Sequence, residues 1–261
     1  MKLKFDHMIH YVDQLKGFKY PGELLKIHSG GKHHQYGTFN RLTYINGNYI
    51  ELLDVEDVEK LKKEAKTEEG RVAFATKIVQ DDFKQGFKTM AFRTEDIEKV
   101  KQSLNERHID TIGPIHMDRE DKKGEKIRWK LLYIADPDYM VRPPFFIEWN
   151  KNKVDHMQNL DSFFQKQFKI DKIIIDSSKR SKTLTKWQSW FNMDIIEENE
   201  NYTDLKLTDL KLEGDTIVYR IQDAAQSGYN TIVFKDNETT TPYSIIIKGA
   251  KYHFEPNEGT N

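Results

Sequence analysis

Three stretches of this chain can be laid over one another: KFDHMIHYVDQ from Lys4, FKTMAFRTEDI from Phe87 and KIDKIIIDSSK from Lys169. Each reads as a strand running into a polar turn, at a similar period and with further strands behind it. In the second stretch an amphipathic helix follows, with Ile97, Val100 and Leu104 on one side. A single unit of this kind leaves one apolar sheet face open, and pairing two units covers that face and forms a curved cleft. The expectation is therefore an α+β fold of repeated βαβββ units, two paired around a cleft and a third at the C-terminal end. The paired units take residues 1–152, joined by a charged stretch with helical spacing over 56–86, and the third takes 160–255.

Within the first unit, strict alternation puts Phe5, His7, Ile9 and Tyr11 on one face and Met8, His10 and Val12 on the other. Asn46-Gly47 marks a tight hairpin turn, and Pro21-Gly22 ends a short helical piece around 13–18. The tail PNEGTN reads as frayed.

Aromatic residues at 12% supply core material, while 41 basic against 42 acidic residues leave a formal charge of −1. That balance gives no reason to expect nucleic acid or an anionic membrane as partner. With no cysteine, disulfides, thiolate ligands and a cysteine nucleophile are all excluded. No apolar run approaches the roughly 18 residues that span a bilayer, and the opening lacks a signal-peptide pattern. A cytoplasmic protein is expected. There is no dinucleotide-binding glycine motif after a strand, no phosphate loop, no nucleophile elbow and no His-Glu-x-x-His helix.

The residues that could carry chemistry are few. Glu51 in YIELLD and Glu148 in FFIEWN each stand between large apolar residues near the end of a unit's last strand. A buried carboxylate is costly unless it is paired or bound to a metal; the plainer reading puts each on the wet face of its sheet. His7, in the first strand, would meet both if those strands line one cleft, although a lone strand histidine is more often structural. GGKHHQYGTFN clusters His33, His34, Thr38 and Asn40 beside glycines, where backbone approaches a ligand closely, or else forms an ordinary surface loop. Thr38 and Asn40 are the candidates for hydrogen bonds to a substrate, with His34, Thr89 and Trp129 as further lining residues. Trp129 shares a strand face with Ile127, Leu131 and Tyr133, and core packing is its plainer role; Trp149, next to Glu148, should point the other way and pack under the helices.

FDHMIHYVDQL resembles the first strand of the vicinal oxygen chelate superfamily, whose inward histidine binds a divalent metal. YIELL and FFIEW resemble the strands that each supply that superfamily's metal-binding glutamate. Together with GGKHHQYGTFN they are similar to the glyoxalase-like family within it, over roughly residues 3–150. The resemblance implies a metal held by His7, Glu51 and Glu148, an oxygen-rich set suited to Mn, Ni, Co, Zn or Mg. It further implies a substrate with neighbouring oxygens on that metal and Glu148 as base on an α-proton. One departure stands out. The superfamily's second unit opens with another ligand, and here that position is Thr89; water, substrate, His33 or His34 would have to replace it. The matching position of the third unit is Lys172.

Two functions follow from the resemblance. One is a metal-dependent lyase or isomerase acting on a small oxygenated molecule. The other, motivated by Thr89, is a non-catalytic small-molecule-binding protein of the kind that confers drug (bleomycin) resistance. Three units leave one without a partner, which predicts a homodimer through residues 160–255.

Overall fold

The computed structural model describes residues 2–120, 126–150, 161–208 and 216–257; the expected boundary near 152–160 and most of the tail fall outside them. The first unit contributes strands β1 (Lys4–Tyr11), β2 (His28–His33), β3 (Thr38–Ile45) and β4 (Asn48–Val55). In place of its helix there are two short 3-10 turns, Leu15–Gly17 and Pro21–Glu23, because Pro21 and Gly22 interrupt any longer run. Asn46 and Gly47 take the positive φ angles that a tight β3–β4 hairpin needs. The joining stretch forms α1 (Val58–Glu64), a 3-10 turn at Gly70–Val72 and α2 (Lys77–Gln80).

The second unit holds β5 (Gly86–Arg93), α3 (Ile97–Asn105), β6 (Thr111–Glu120), β7 (Lys126–Ile134) and β8 (Phe145–Trp149). Asp96 caps α3, its Oδ1 accepting from the Lys99 amide at 3.0 Å. Both units merge into one eight-stranded sheet in the order β2-β3-β4-β1-β5-β8-β7-β6. At its centre β1 and β5 run antiparallel with Met8 opposite Met90, His7 opposite Ala91 and Ile9 opposite Thr89. Exchanging the two strands about the Met8–Met90 pair carries His7 onto Thr89 and Ile9 onto Ala91, the same correspondence that the sequence overlay gives.

The rest of the chain builds a seven-stranded sheet: β9 (Phe168–Ser177), α4 (Arg180–Phe191), β10 (Met193–Glu198), β11 (Tyr202–Leu207), β12 (Val218–Asp223), β13 (Gly228–Asp236), β14 (Tyr243–Ile247) and β15 (Ala250–Pro256). The expected third unit ends at β12. Strands β13 to β15 form a shortened fourth unit, and β13 pairs antiparallel with β9 as β5 pairs with β1. The third unit thus has a partner within the chain itself.

The two sheets share a core. Phe5, Met8, Met90, Phe92 and Phe146 of the first meet Tyr219, Tyr252 and Phe254 of the second, with α3 and α4 contributing Leu104, Trp187 and Phe191. The Phe92 ring lies 5.1 Å from Phe191 and 5.6 Å from Tyr219. Phe5 belongs to this side and not to that of His7. A register shift between Phe5 and His7 bulges Asp6 out of the ladder and reverses the alternation there.

His10 ties the sheets together. Its Nε2 donates to the Lys248 carbonyl at 3.2 Å, so in the neutral ring Nδ1 accepts from the Tyr252 hydroxyl at 2.8 Å. Burial, reinforced by the Lys88 charge and opposed by the Lys248 hydrogen bond, pushes the His10 pKa down to about 4. A histidine that titrates near 6.5 unfolded and about 4 folded leaves stability intact above pH 6.5. That stability is lost as pH falls, because the unfolded chain takes up the proton first. The full window amounts to about 3 kcal/mol. His10→Phe is expected to be less stable than wild type at pH 7 yet to show a shallower loss in urea midpoint between pH 6.5 and 4. Parallel pH profiles would contradict this.

Candidate functional site

The face of the first sheet turned away from the shared core carries the candidate residues. His7 lies between two carboxylates, with Nδ1 2.8 Å from Asp6 Oδ1 and Nε2 3.3 Å from Glu51 Oε2. Asn40 donates from Nδ2 to Glu51 Oε1 at 2.6 Å and accepts the Gly31 amide on Oδ1 at 2.7 Å. His33 brings Nε2 to 3.7 Å from Glu51 Oε1, and its Nδ1 pairs with the Thr38 hydroxyl at 3.1 Å. All six of these side chains are buried. Burial alone would raise the Asp6 pKa. The hydrogen bond and charge of His7, the Arg93 charge and the Trp149 N–H outweigh it and hold this carboxyl below its usual value.

Local sequence explains this convergence. Bulging at Asp6 turns it to the side of its neighbour His7, where it also accepts from Trp149 Nε1 at 3.1 Å. Gly30 is needed because a Cβ there would stand 1.9 Å from Asn40 Oδ1 and 2.5 Å from its carbonyl oxygen. Sequence reasoning missed Asp6, since strict alternation sends it to the opposite face. Only a signal for the bulge could have found it.

The linker closes the site. Val72, Ala73, Phe74, Ala75 and Ile78 are buried in one cluster with Ile9, Leu53, Ala91, Trp129, Leu131, Tyr133, Phe145 and Ile147. The Phe74 ring sits 5.3 Å from those of His33 and Tyr36 and 5.8 Å from Phe145. Arg142 fastens this plug, donating to the carbonyls of Ala73 at 3.0 Å and Arg71 at 3.2 Å and to Gln80 Oε1 at 3.0 Å. Tyr49 stacks on His7 at 4.5 Å, and Trp129 packs 5.5 Å from Trp149 as part of the wall.

Glu148 does not join this group. Phe145 and Ile147 face the plug, so Glu148 faces the other way, where Oε2 accepts the Ile97 amide at the start of α3 at 2.6 Å and Oε1 pairs with Lys130 at 3.0 Å. Its counterpart in the first unit is Asp54, which accepts the Leu15 amide at 3.0 Å at the start of a 3-10 turn. Both carboxylates hold a helix start. Trp149, expected under the helices, lies on the plug side. Thr89 is buried, with its hydroxyl donating to the Pro143 carbonyl at 3.2 Å, and His34 is exposed in the turn after β2. Glu148→Ala is therefore expected to cost about 1 kcal/mol of stability through the lost cap and ion pair. Thermal melts check that loss, and a variant that melts with the wild type would contradict it.

Strand register identifies what the second unit offers instead. Ile9 pairs with Glu51 across β1–β4, and its equivalent Ala91 pairs with Phe145 across β5–β8. The site is thus polar on one side, with His7 and Glu51, and has Thr89 and Phe145 at the matching places on the other. A divalent ion shared between the two units would find ligands from one of them only. Among the described residues no three His, Asp or Glu side chains are disposed to hold a metal ion, and His7, Glu51 and Glu148 do not meet as one ligand set, because Glu148 is turned to Ile97 and Lys130.

Paired βαβββ units in one sheet, with a polar cluster on the face between them, define a protein of the glyoxalase-like class. The family described as a glyoxalase-like domain matches residues 5–191, and the chain belongs to it. A hypothetical protein from Staphylococcus aureus is 52% identical, with a TM-score of 0.94 over 98% of this chain and 100% of that one. A mutant 4-hydroxymandelate synthase from Streptomyces coelicolor shares the fold at 8% identity, with a TM-score of 0.53 over 91% of this chain and 72% of that one. No curated protein matches the sequence. Among the described residues no helix is long and apolar enough to cross a membrane.

Proposed function

We propose that this chain is a small-molecule-binding member of the glyoxalase-like family that holds its ligand without a metal shared between the two units. One observation carries the reading: Thr89 and Phe145 stand where strand pairing would place the second unit's ligands. The ligand replaces the Phe74 plug. It presents a hydrogen-bond donor to Glu51 and Asn40 and an aromatic or amphipathic body to Phe145, Tyr49 and Trp129. Such a division suits a pocket that is mostly apolar with a few placed polar groups.

A thermal-shift panel of small aromatic amines and phenols, run before and after exhaustive chelation, tests this. At least one class should stabilise the protein equally in both conditions and fail to stabilise Glu51→Gln. Stabilisation that disappears with EDTA and returns with Mn or Zn would overturn the reading in favour of the metal-dependent lyase or isomerase.

A further inference from the structure

The second sheet repeats the geometry of the first with different chemistry. Its central pair places Ile173 opposite Ile232, Lys172 opposite Val233 and Ile174 opposite Thr231, with register shifts on either side as in β1–β5. Lys172 therefore stands where His7 stands in the first sheet. Arg220, which pairs with Ile174, stands where Glu51 does. On the other half Thr231 matches Thr89, and His253, opposite Val233, matches Phe145. An acid–imidazole pair in one sheet has become two cations in the other.

This face is also open. Side chains of His7 and Glu51 are 3% and 7% exposed beneath the plug, whereas Lys172, Arg220 and His253 are 24%, 19% and 28% exposed. Three of the carboxylates around them are already engaged, while Asp171 takes the bulged place beside Lys172 that Asp6 takes beside His7. Buried Asp204 takes Arg220 through both oxygens at 2.8 Å, and Glu255 takes Lys235 at 2.8 Å and His253 at 3.4 Å. Asp176 accepts the Gln222 and Asn230 amides at 2.8 and 2.6 Å. The Lys172 ammonium has its closest ion-pair contact, to Asp204, at only 4.0 Å. Along the same face Asn230, Ile246 and Lys251, with Asp176 already bound to two amides, border an open hollow of about 330 Å³.

We infer that this face of the second sheet is a separate binding site for a small anionic molecule, a carboxylate or a phosphate ester. Its anionic group sits at Lys172 and Arg220, and its organic remainder lies toward the hollow at Asn230 and Lys251. Arg220 is the fixed member, held by Asp204 and by the Tyr202 ring 3.4 Å from its guanidinium carbon. Lys172, whose ammonium stands 4.0 Å from Asp204, is the member that turns to the ligand. The site is independent of the plugged cleft of the first sheet.

Calorimetric titration of the full chain with inorganic phosphate and with succinate, at low ionic strength, tests the inference. Saturable binding of either anion is expected, and the tighter of the two names the anionic group. Lys172→Glu should weaken it by at least about tenfold, the scale of one charge-assisted contact. Lys172→Met should weaken it less, and Glu51→Gln should leave it unchanged. Lys172 is half-buried and not in the core, so both variants should keep the wild-type melting temperature to within a few degrees. Absence of saturable binding of both anions, or affinities that Lys172→Glu and Lys172→Met leave at the wild-type value, would overturn it. Loss in Glu51→Gln alone would assign the binding to the first sheet instead.

Discussion

Phe74→Ala is expected to lower the stability of the fold by about 3–5 kcal/mol, the cost of emptying a buried aromatic position. Phe74 is buried and touches His33, Tyr36 and Phe145, so no neighbour can close over the space without moving the strands that carry it. Its removal should also change function in the opposite sense. The carbonyl anchors to Arg142 remain, but the linker loses the side chain that fills the cleft, and ligand should associate faster than with wild type. Urea denaturation and stopped-flow binding on the same protein separate the two effects. A variant as stable as wild type, or one that is destabilised without any gain in association rate, would mean that Phe74 is ordinary core and not a plug.

Glu51→Ala is expected to be the most damaging change among the polar residues. It removes the closest acceptor of the Asn40 amide and the carboxylate 3.3 Å from His7 Nε2, in a site where none of these groups is open to water. Leaving buried polar groups unpaired costs about 1–3 kcal/mol each, so a loss of about 2–4 kcal/mol is expected, with complete loss of ligand binding. Glu51→Gln keeps the volume and one carbonyl acceptor for Asn40, and should retain most of the stability while still losing affinity. Denaturant midpoints for the pair check the split. Equal stability of both variants with wild type would show that the network is not what holds this part of the sheet.

Much of this architecture was legible in the sequence, and the failures have identifiable physical causes. Strand openings at Lys4, Phe87 and Lys169 and the Asn46-Gly47 turn follow from local patterning, which side-chain alternation and turn chemistry dictate. His7 and Glu51 stand out in the sequence as one group and Thr38 and Asn40 as another; strand pairing within one unit brings the two groups together. Glu148 was misplaced by its context. Apolar flanks on both sides cannot tell which face a strand residue takes, and the register that puts Phe145 opposite Ala91 is a long-range fact. Asp6 escaped because a bulge breaks the alternation on which the reading depended. The charged, helically spaced linker reads as helices joining two units. Nothing in its period reveals that Phe74 and its neighbours turn back into the cleft. The fourth unit was overlooked for a simpler reason: β13 to β15 lack the helix that marked the other units, so their strands were absorbed into the third.

The same pseudo-symmetry explains why one family resemblance supports two different sites. Each sheet keeps the bulged, antiparallel central pair, and each changes the four side chains that the pairing brings together. In the first sheet those positions hold His7, Glu51, Thr89 and Phe145; in the second they hold Lys172, Arg220, Thr231 and His253. Backbone geometry sets where a ligand is met, and the residues at those places set which chemistry meets it.

The most direct test of the central claim is the divalent metal content of the natively purified protein, measured by elemental analysis beside a His7→Ala/Glu51→Gln double variant and after incubation with Mn, Ni and Zn. The half-site geometry predicts no stoichiometric ion in either protein. About one ion per chain in the wild type, lost in the double variant, would contradict it and restore the metal-dependent reading.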